Sequence, residues 1–78
     1  MKTIGVECRF AEDGSVRVRK VQLNGRWQTV EQGRQWQDEN GRHVLIMLAG
    51  EAVREIVLQA GSLQWGMGER GRRRVTAV

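Results

Sequence analysis

Five turn dipeptides punctuate this chain: Asp13-Gly14, Asn24-Gly25, Gln32-Gly33, Asn40-Gly41 and Ala60-Gly61. No proline occurs among its 78 residues. Asn-Gly and Asp-Gly favour tight hairpin turns, because the primed turn types need positive φ at their central residues. The segments between these turns are short and alternate in polarity or are apolar throughout. That spacing predicts a meander of antiparallel strands and leaves little room for a helix. Gly25-Arg26, Gly33-Arg34 and Gly41-Arg42 recur every eight residues. Hairpins of equal length explain the recurrence, since eight residues are too few for a stacking repeat.

Strand parity orients the side chains. Ile4, Val6, Cys8 and Phe10 alternate with polar neighbours, the period of a half-buried strand. Val16 and Val18 share one parity and Val21 and Leu23 the other, so a bulge or bend is expected near Arg19-Lys20. Such a device curls a small sheet towards a barrel. Strands follow around Arg26–Val30 and Arg34–Asp38. Val44–Leu48 is apolar on both parities, as in a central strand. In the next strand Arg54, Ile56 and Leu58 face one way and Val53, Glu55 and Val57 the other. A helix over 51–60 is the alternative, but ten residues centred on Ile56-Val57-Leu58 make a marginal one. Leu63, Trp65 and Met67 alternate as a last core strand, and Val75–Val78 closes the sheet or frays.

The expected fold is therefore all-β: a small antiparallel meander of six or seven strands, curled into a barrel or a strongly bent sheet. Residues 1–69 form a single domain and residues 70–78 a basic edge strand or tail. One cysteine, Cys8, excludes an internal disulfide framework and suits a reducing compartment. No apolar run has the length of a signal peptide or a membrane span, so a cytoplasmic protein is expected.

Net charge is +4, and four arginines account for it: Arg70, Arg72, Arg73 and Arg74. Without them the chain carries nine basic and nine acidic residues. One histidine, one cysteine and scattered carboxylates do not supply a usual zinc shell, so no metal or other cofactor is expected. Glu7, Glu31, Glu51, Glu55 and Glu69 lie beside basic or strand-surface positions, the pattern of a solvated face. His43, next to Arg42, suits an edge or a satisfied core histidine better than a catalytic base. Cys8 alternates with apolar residues as a small buried hydrophobe. No glycine-rich phosphate loop opens a helix. Catalysis is not expected.

Basic and aromatic residues are the better candidates. Trp36 shares parity with Arg34 and Asp38, whereas Trp65 shares it with Leu63 and Met67 and belongs to the core; Trp27 is ambiguous. Small β-barrels bind single-stranded nucleic acid by stacking bases on aromatics in a basic groove. Trp36, Arg34, Arg72, Arg73 and Arg74 are the candidate contacts, with Arg17, Arg19, Arg26 and Arg42 able to surround Trp36. The competing view is that Trp36 caps the barrel while the arginines keep a small sheet soluble and its edges unpaired. A second function is protein interaction or homodimerisation. If Val44, Ile46 and Leu48 face the core, Leu45 and Met47 face outward near Val57, and such an apolar patch needs a cover.

The segment Leu23–Val30, followed by Trp36, by Val53–Leu58 and by Trp65, resembles a small bacterial all-β domain family of unknown function. That family has a Gly-Arg-aromatic hairpin ending in valine. Some relatives are similar to domains found near translesion polymerases, which implies a role around DNA. The likeness spans residues 16–67 and implies an all-β fold and no catalytic residues. This chain departs from it in lacking a tyrosine after Arg26 and in its arginine-rich end.

Overall fold

The computed structural model describes residues 2–50 and 52–68 and contains strands but no helix there. The strands are β1 (Lys2–Thr3), β2 (Gly5–Phe10), β3 (Val16–Leu23), β4 (Arg26–Thr29), β5 (Glu31–Asp38), β6 (Gly41–Met47), β7 (Val53–Gln59) and β8 (Trp65–Met67). All pairings are antiparallel. Arg70, Arg72, Arg73, Arg74 and the segment Val75–Val78 lie outside the described residues.

The ladders form two sheets, one ordered β1-β8-β7-β6-β5 and the other β2-β3-β4. Eight strands therefore replace the six or seven expected, and no hydrogen-bonded ladder closes them into a barrel. The extra strand is β1, which precedes the expected first strand, and the chain changes sheets at Ile4. Ile4 is buried, and its amide still bonds the Trp65 carbonyl at 3.0 Å. The chain changes sheets again at Val30, also buried, whose amide bonds the Arg19 carbonyl at 3.0 Å. Both crossings place an apolar side chain in the layer between the sheets.

That layer is the core. Val16, Val18 and Val21 enter it from the three-stranded sheet, and Val44, Ile46, Leu48, Ile56 and Met67 from the other side. Ile46 and Ile56 are among the largest fully buried side chains, and truncating either to alanine costs about 2–5 kcal/mol. Parity thus places Val44, Ile46, Leu48 and Ile56 as expected. Trp65 packs against the core only partly buried, while Phe10 is exposed and Leu63 is 73% exposed at positive φ before β8 begins.

The expected bulge is present. Glu7 faces Lys20 and Cys8 faces Val18, so Arg19 is the extra residue. Asn24 and Gly25 both have positive φ, 53° and 79°, as a primed two-residue hairpin requires. At Asn40-Gly41 the chain turns before Gly41, whose Cβ, were there one, would overlap the Leu58 carbonyl. Gln32-Gly33 is not a turn. It lies inside β5, where Gln32 faces Ile46 and Gln35 faces Val44, leaving Gly33 and Arg34 as a second bulge opposite Leu45. The segment 53–59 is strand β7, which removes the helix alternative there.

Candidate functional site

Trp36 and Arg34 meet on the outer face of the five-stranded sheet. The Arg34 guanidinium lies 5.4 Å from the Trp36 ring centroid, within cation–π range. Register places His43 directly across from Trp36, and the two rings stack with centroids 5.0 Å apart and planes 3° from parallel. His43 is only 8% exposed. Its Nδ1 is 2.6 Å from Glu55 Oε2 and its Nε2 2.9 Å from Asp38 Oδ1.

Burial pulls the His43 pKa down, but the bonds to Glu55 and Asp38 and the charges of both outweigh it, so the net shift is upward. Asp38 is held below its ordinary value, first by the His43 bond and then by the Asn40 amide. His43 is thus buried and satisfied, but on the outer face of the sheet and not in the core between the sheets. The Trp36 neighbourhood pairs two carboxylates with two cations, which gives it no excess of positive charge to attract phosphate.

The other arginines do not surround Trp36. Arg42 points to the opposite side of the sheet, donating to Gln35 Oε1 at 3.2 Å, Gln37 Oε1 at 3.1 Å and the Gly14 carbonyl at 3.1 Å. Arg17, Arg19 and Arg26 belong to the three-stranded sheet. The dimer candidates do share the Trp36 face: His43 pairs with Val57, and Leu45 and Met47 follow at the same parity. Val57 is 3% exposed and offers little surface, whereas Met47 is 41% exposed. Gly33, Leu45, Met47 and Val53 help line a shallow depression of about 200 Å³ beside the β5 bulge.

Among the described residues, the strongest basic feature lies on the three-stranded sheet. Arg9 and Arg17 are directly opposite each other on its outer face, and like charges so placed repel. Arg19, in the bulge, and Lys20 extend the row, and all four are exposed. Among the described residues the only ion pairs are those of His43, so Arg9, Arg17 and Arg19 have no carboxylate partner there, while Lys20 stands across the ladder from Glu7. Arg9, Arg17 and Arg19 help line an open groove of about 550 Å³ with Thr29, Glu31 and Gln32.

This groove follows a seam between the sheets. The strand β4 covers β3 only from Lys20 to Leu23, leaving the backbone of Val16–Val18 without a strand on that side. Two glutamines take the strand's place. Gln32 accepts from the Val18 amide at 2.6 Å and donates to the Val16 carbonyl at 2.9 Å. Gln35 accepts from the Val16 amide at 3.0 Å and donates to the same carbonyl at 2.8 Å.

Arg17 and Arg19, expected around Trp36, lie instead on the other sheet, where Arg9, which is not among the expected contacts, joins them. The signal available was the Asp13-Gly14 hairpin, since a loop over Ala11–Ser15 places Arg9 opposite Arg17. Among the described residues, no group of three or more potential metal-ligating side chains could hold an ion, and no helix is long and apolar enough to cross a membrane. No protein-family model, curated protein or solved structure matches the chain.

Proposed function

We propose that the protein is a non-catalytic, cytoplasmic binding module for single-stranded nucleic acid, with its phosphates held along the arginine-lined side of the three-stranded sheet. The observation that carries this reading is the row Arg9, Arg17 and Arg19: three exposed cations on paired strands, with no ion-paired carboxylate among the described residues, continued by Lys20 opposite Glu7. Repulsion between Arg9 and Arg17 is a standing cost to the fold, and a phosphate between them would remove it. In this reading the two sheets act as a barrel left open along the β3–β5 seam, and the open seam is the groove. Arg72, Arg73 and Arg74 supply a second set of phosphate contacts, whereas the Trp36–Arg34 pair, balanced by Asp38 and Glu55, stays outside the interface.

Salt dependence tests the assignment. Each phosphate contact on a single strand adds about 0.7 to the slope of log affinity against log salt. Replacing Arg9, Arg17 and Arg19 together by alanine should lower that slope by about 2. The same replacement at Arg72, Arg73 and Arg74 measures the share of the C-terminal cluster. Binding indifferent to salt, or none to single-stranded DNA or RNA at low salt, would rule the function out.

A second reading, a protein-interaction or homodimerising module, is favoured by one observation: Met47 and Val53 are exposed beside half-buried Leu45 on a single sheet face. Sedimentation at tens of micromolar decides it. A dimer that Met47→Glu dissociates supports this face; a monomer unaffected by Met47→Glu removes it.

A further inference from the structure

We propose that Trp27 is the platform on which one base of the bound strand stacks, an inference that rests on the nucleic-acid reading above. Trp27, Gln22 and Gly5 stand in register across β4, β3 and β2, on the outer face of the sheet that carries the arginine row. Trp27 is 51% exposed. An indole so placed leaves a large apolar surface in water, an arrangement that a stacked ligand relieves.

Gly5 makes the platform. A Cβ at this position would sit 3.3 Å from Trp27 Cη2, 3.2 Å from Gln22 Cβ and 3.0 Å from Gln22 Oε1. The end of the indole occupies the space a side chain would need, so the ring lies across the sheet instead of standing off it. A glycine within a strand commonly marks such a close approach. Lys20 precedes Gln22 on the same face, across from Glu7, and Lys2 Nζ donates to Asn24 Oδ1 at 3.3 Å in the adjoining turn. Two cations, Lys20 on the strand and Lys2 at the turn, therefore flank the register row of the ring, with Glu7 facing Lys20, and these two are the groups to meet phosphates beside a stacked base.

The tryptophan chosen on parity, Trp36, is less suited, because His43 already stacks on it and Arg34 lies over it. A base can reach Trp27 only when it is free of a duplex, so the platform selects single strands, and it does so without preference among bases.

Two probes separate stacking from charge: an oligothymidylate, or its oligouridylate equivalent, and inorganic polyphosphate, which has no bases. Base stacking on an aromatic is worth about 1–3 kcal/mol, so Trp27→Ala should weaken oligonucleotide binding by roughly tenfold and leave polyphosphate binding unchanged. Trp27→Phe should restore part of the loss. Gly5→Val, which displaces the ring while keeping it, should weaken the oligonucleotide alone. Tryptophan quenching by the oligonucleotide should persist in Trp36→Phe and vanish in Trp27→Phe. Equal loss for both probes, or no loss for either, in Trp27→Ala overturns the platform and leaves the phosphate-binding function standing. Failure of the wild-type protein to bind either probe overturns that function and the platform with it.

Discussion

Both ring nitrogens of His43 face carboxylate oxygens, and a carboxylate accepts but does not donate. Both nitrogens can donate only when the ring carries two protons, so the clamp fits the imidazolium form. The groups around it are Trp36, Arg34 and Asp38 on β5, Leu45 on β6, and Glu55 and Val57 on β7. With the folded pKa raised above the ordinary 6.5, the contribution of His43 to stability is complete below that value. It is lost as pH rises through the folded value. Asp38 behaves oppositely: its contribution is present above 3.8 and fades as pH falls through its lowered value. Thermal midpoints measured from about pH 5 to about pH 9 should therefore decline on the alkaline side, and His43→Gln should flatten that decline. An unchanged alkaline limb in His43→Gln would assign it to another group. A histidine at the start of an apolar run reads as an edge or a satisfied core residue; His43 is satisfied, but it lies on an inner strand and on the outer face of the sheet. Its partners were not legible, because Asp38 and Glu55 come from neighbouring strands whose register the sequence leaves open.

At the scale of the elements, the glutamines on β5 do what a strand would otherwise do. Gln32 and Gln35 differ by three positions, and in a regular strand they would point to opposite faces. The Gly33-Arg34 bulge brings both inward, where each reaches the backbone of Val16 or Val18. Replacing Gln32 by alanine leaves the part-buried Val18 amide without its acceptor, which costs about 1–3 kcal/mol. Gln35→Ala should cost a similar amount. Because both side chains donate to the Val16 carbonyl, the double variant should depart from additivity by at least about 0.5 kcal/mol in urea unfolding. Strictly additive losses would mean that the two amides act separately. Gln32-Gly33 signalled a turn because glycine punctuates turns and bulges alike. The bulge at Arg19 was legible for a different reason: four valine and leucine positions bracket it and change parity across it. Glutamine carries no such periodic signal, so the seam, and the groove that follows it, were hidden.

The whole molecule is two sheets of unequal cohesion. In the larger sheet β6, β7 and β8 have partners on both sides, whereas in the smaller only β3 does, and only from Lys20 onward. Curling had been expected because a bulge bends a strand; whether bent strands close a barrel or part into two sheets depends on non-local partners. The division at Ile4 and Val30 was therefore not legible, although both were recognisably apolar. The division has a dynamic consequence. Backbone connections between sheets run through the crossings at Ile4 and Val30; side-chain amides from Gln32 and Gln35 link them along the seam, with exposed bonds from Arg42 to the Gly14 carbonyl and from Lys2 to Asn24 beside them. Amide exchange should resolve two tiers, with Val44, Ile46 and Ile56 slowest and the β4 amides well below them. In the Gln32→Ala, Gln35→Ala double variant the amides of Val16 and Val18 lose their acceptors directly. Their exchange should accelerate by at least about tenfold more than that of Val44 or Ile56, which follow the global loss of stability alone. A uniform acceleration at every amide would instead show that the sheets open as a single unit. In that case the shared apolar layer of Ile4, Val18, Val21, Ile46 and Ile56, and not the amide seam, would be what couples them.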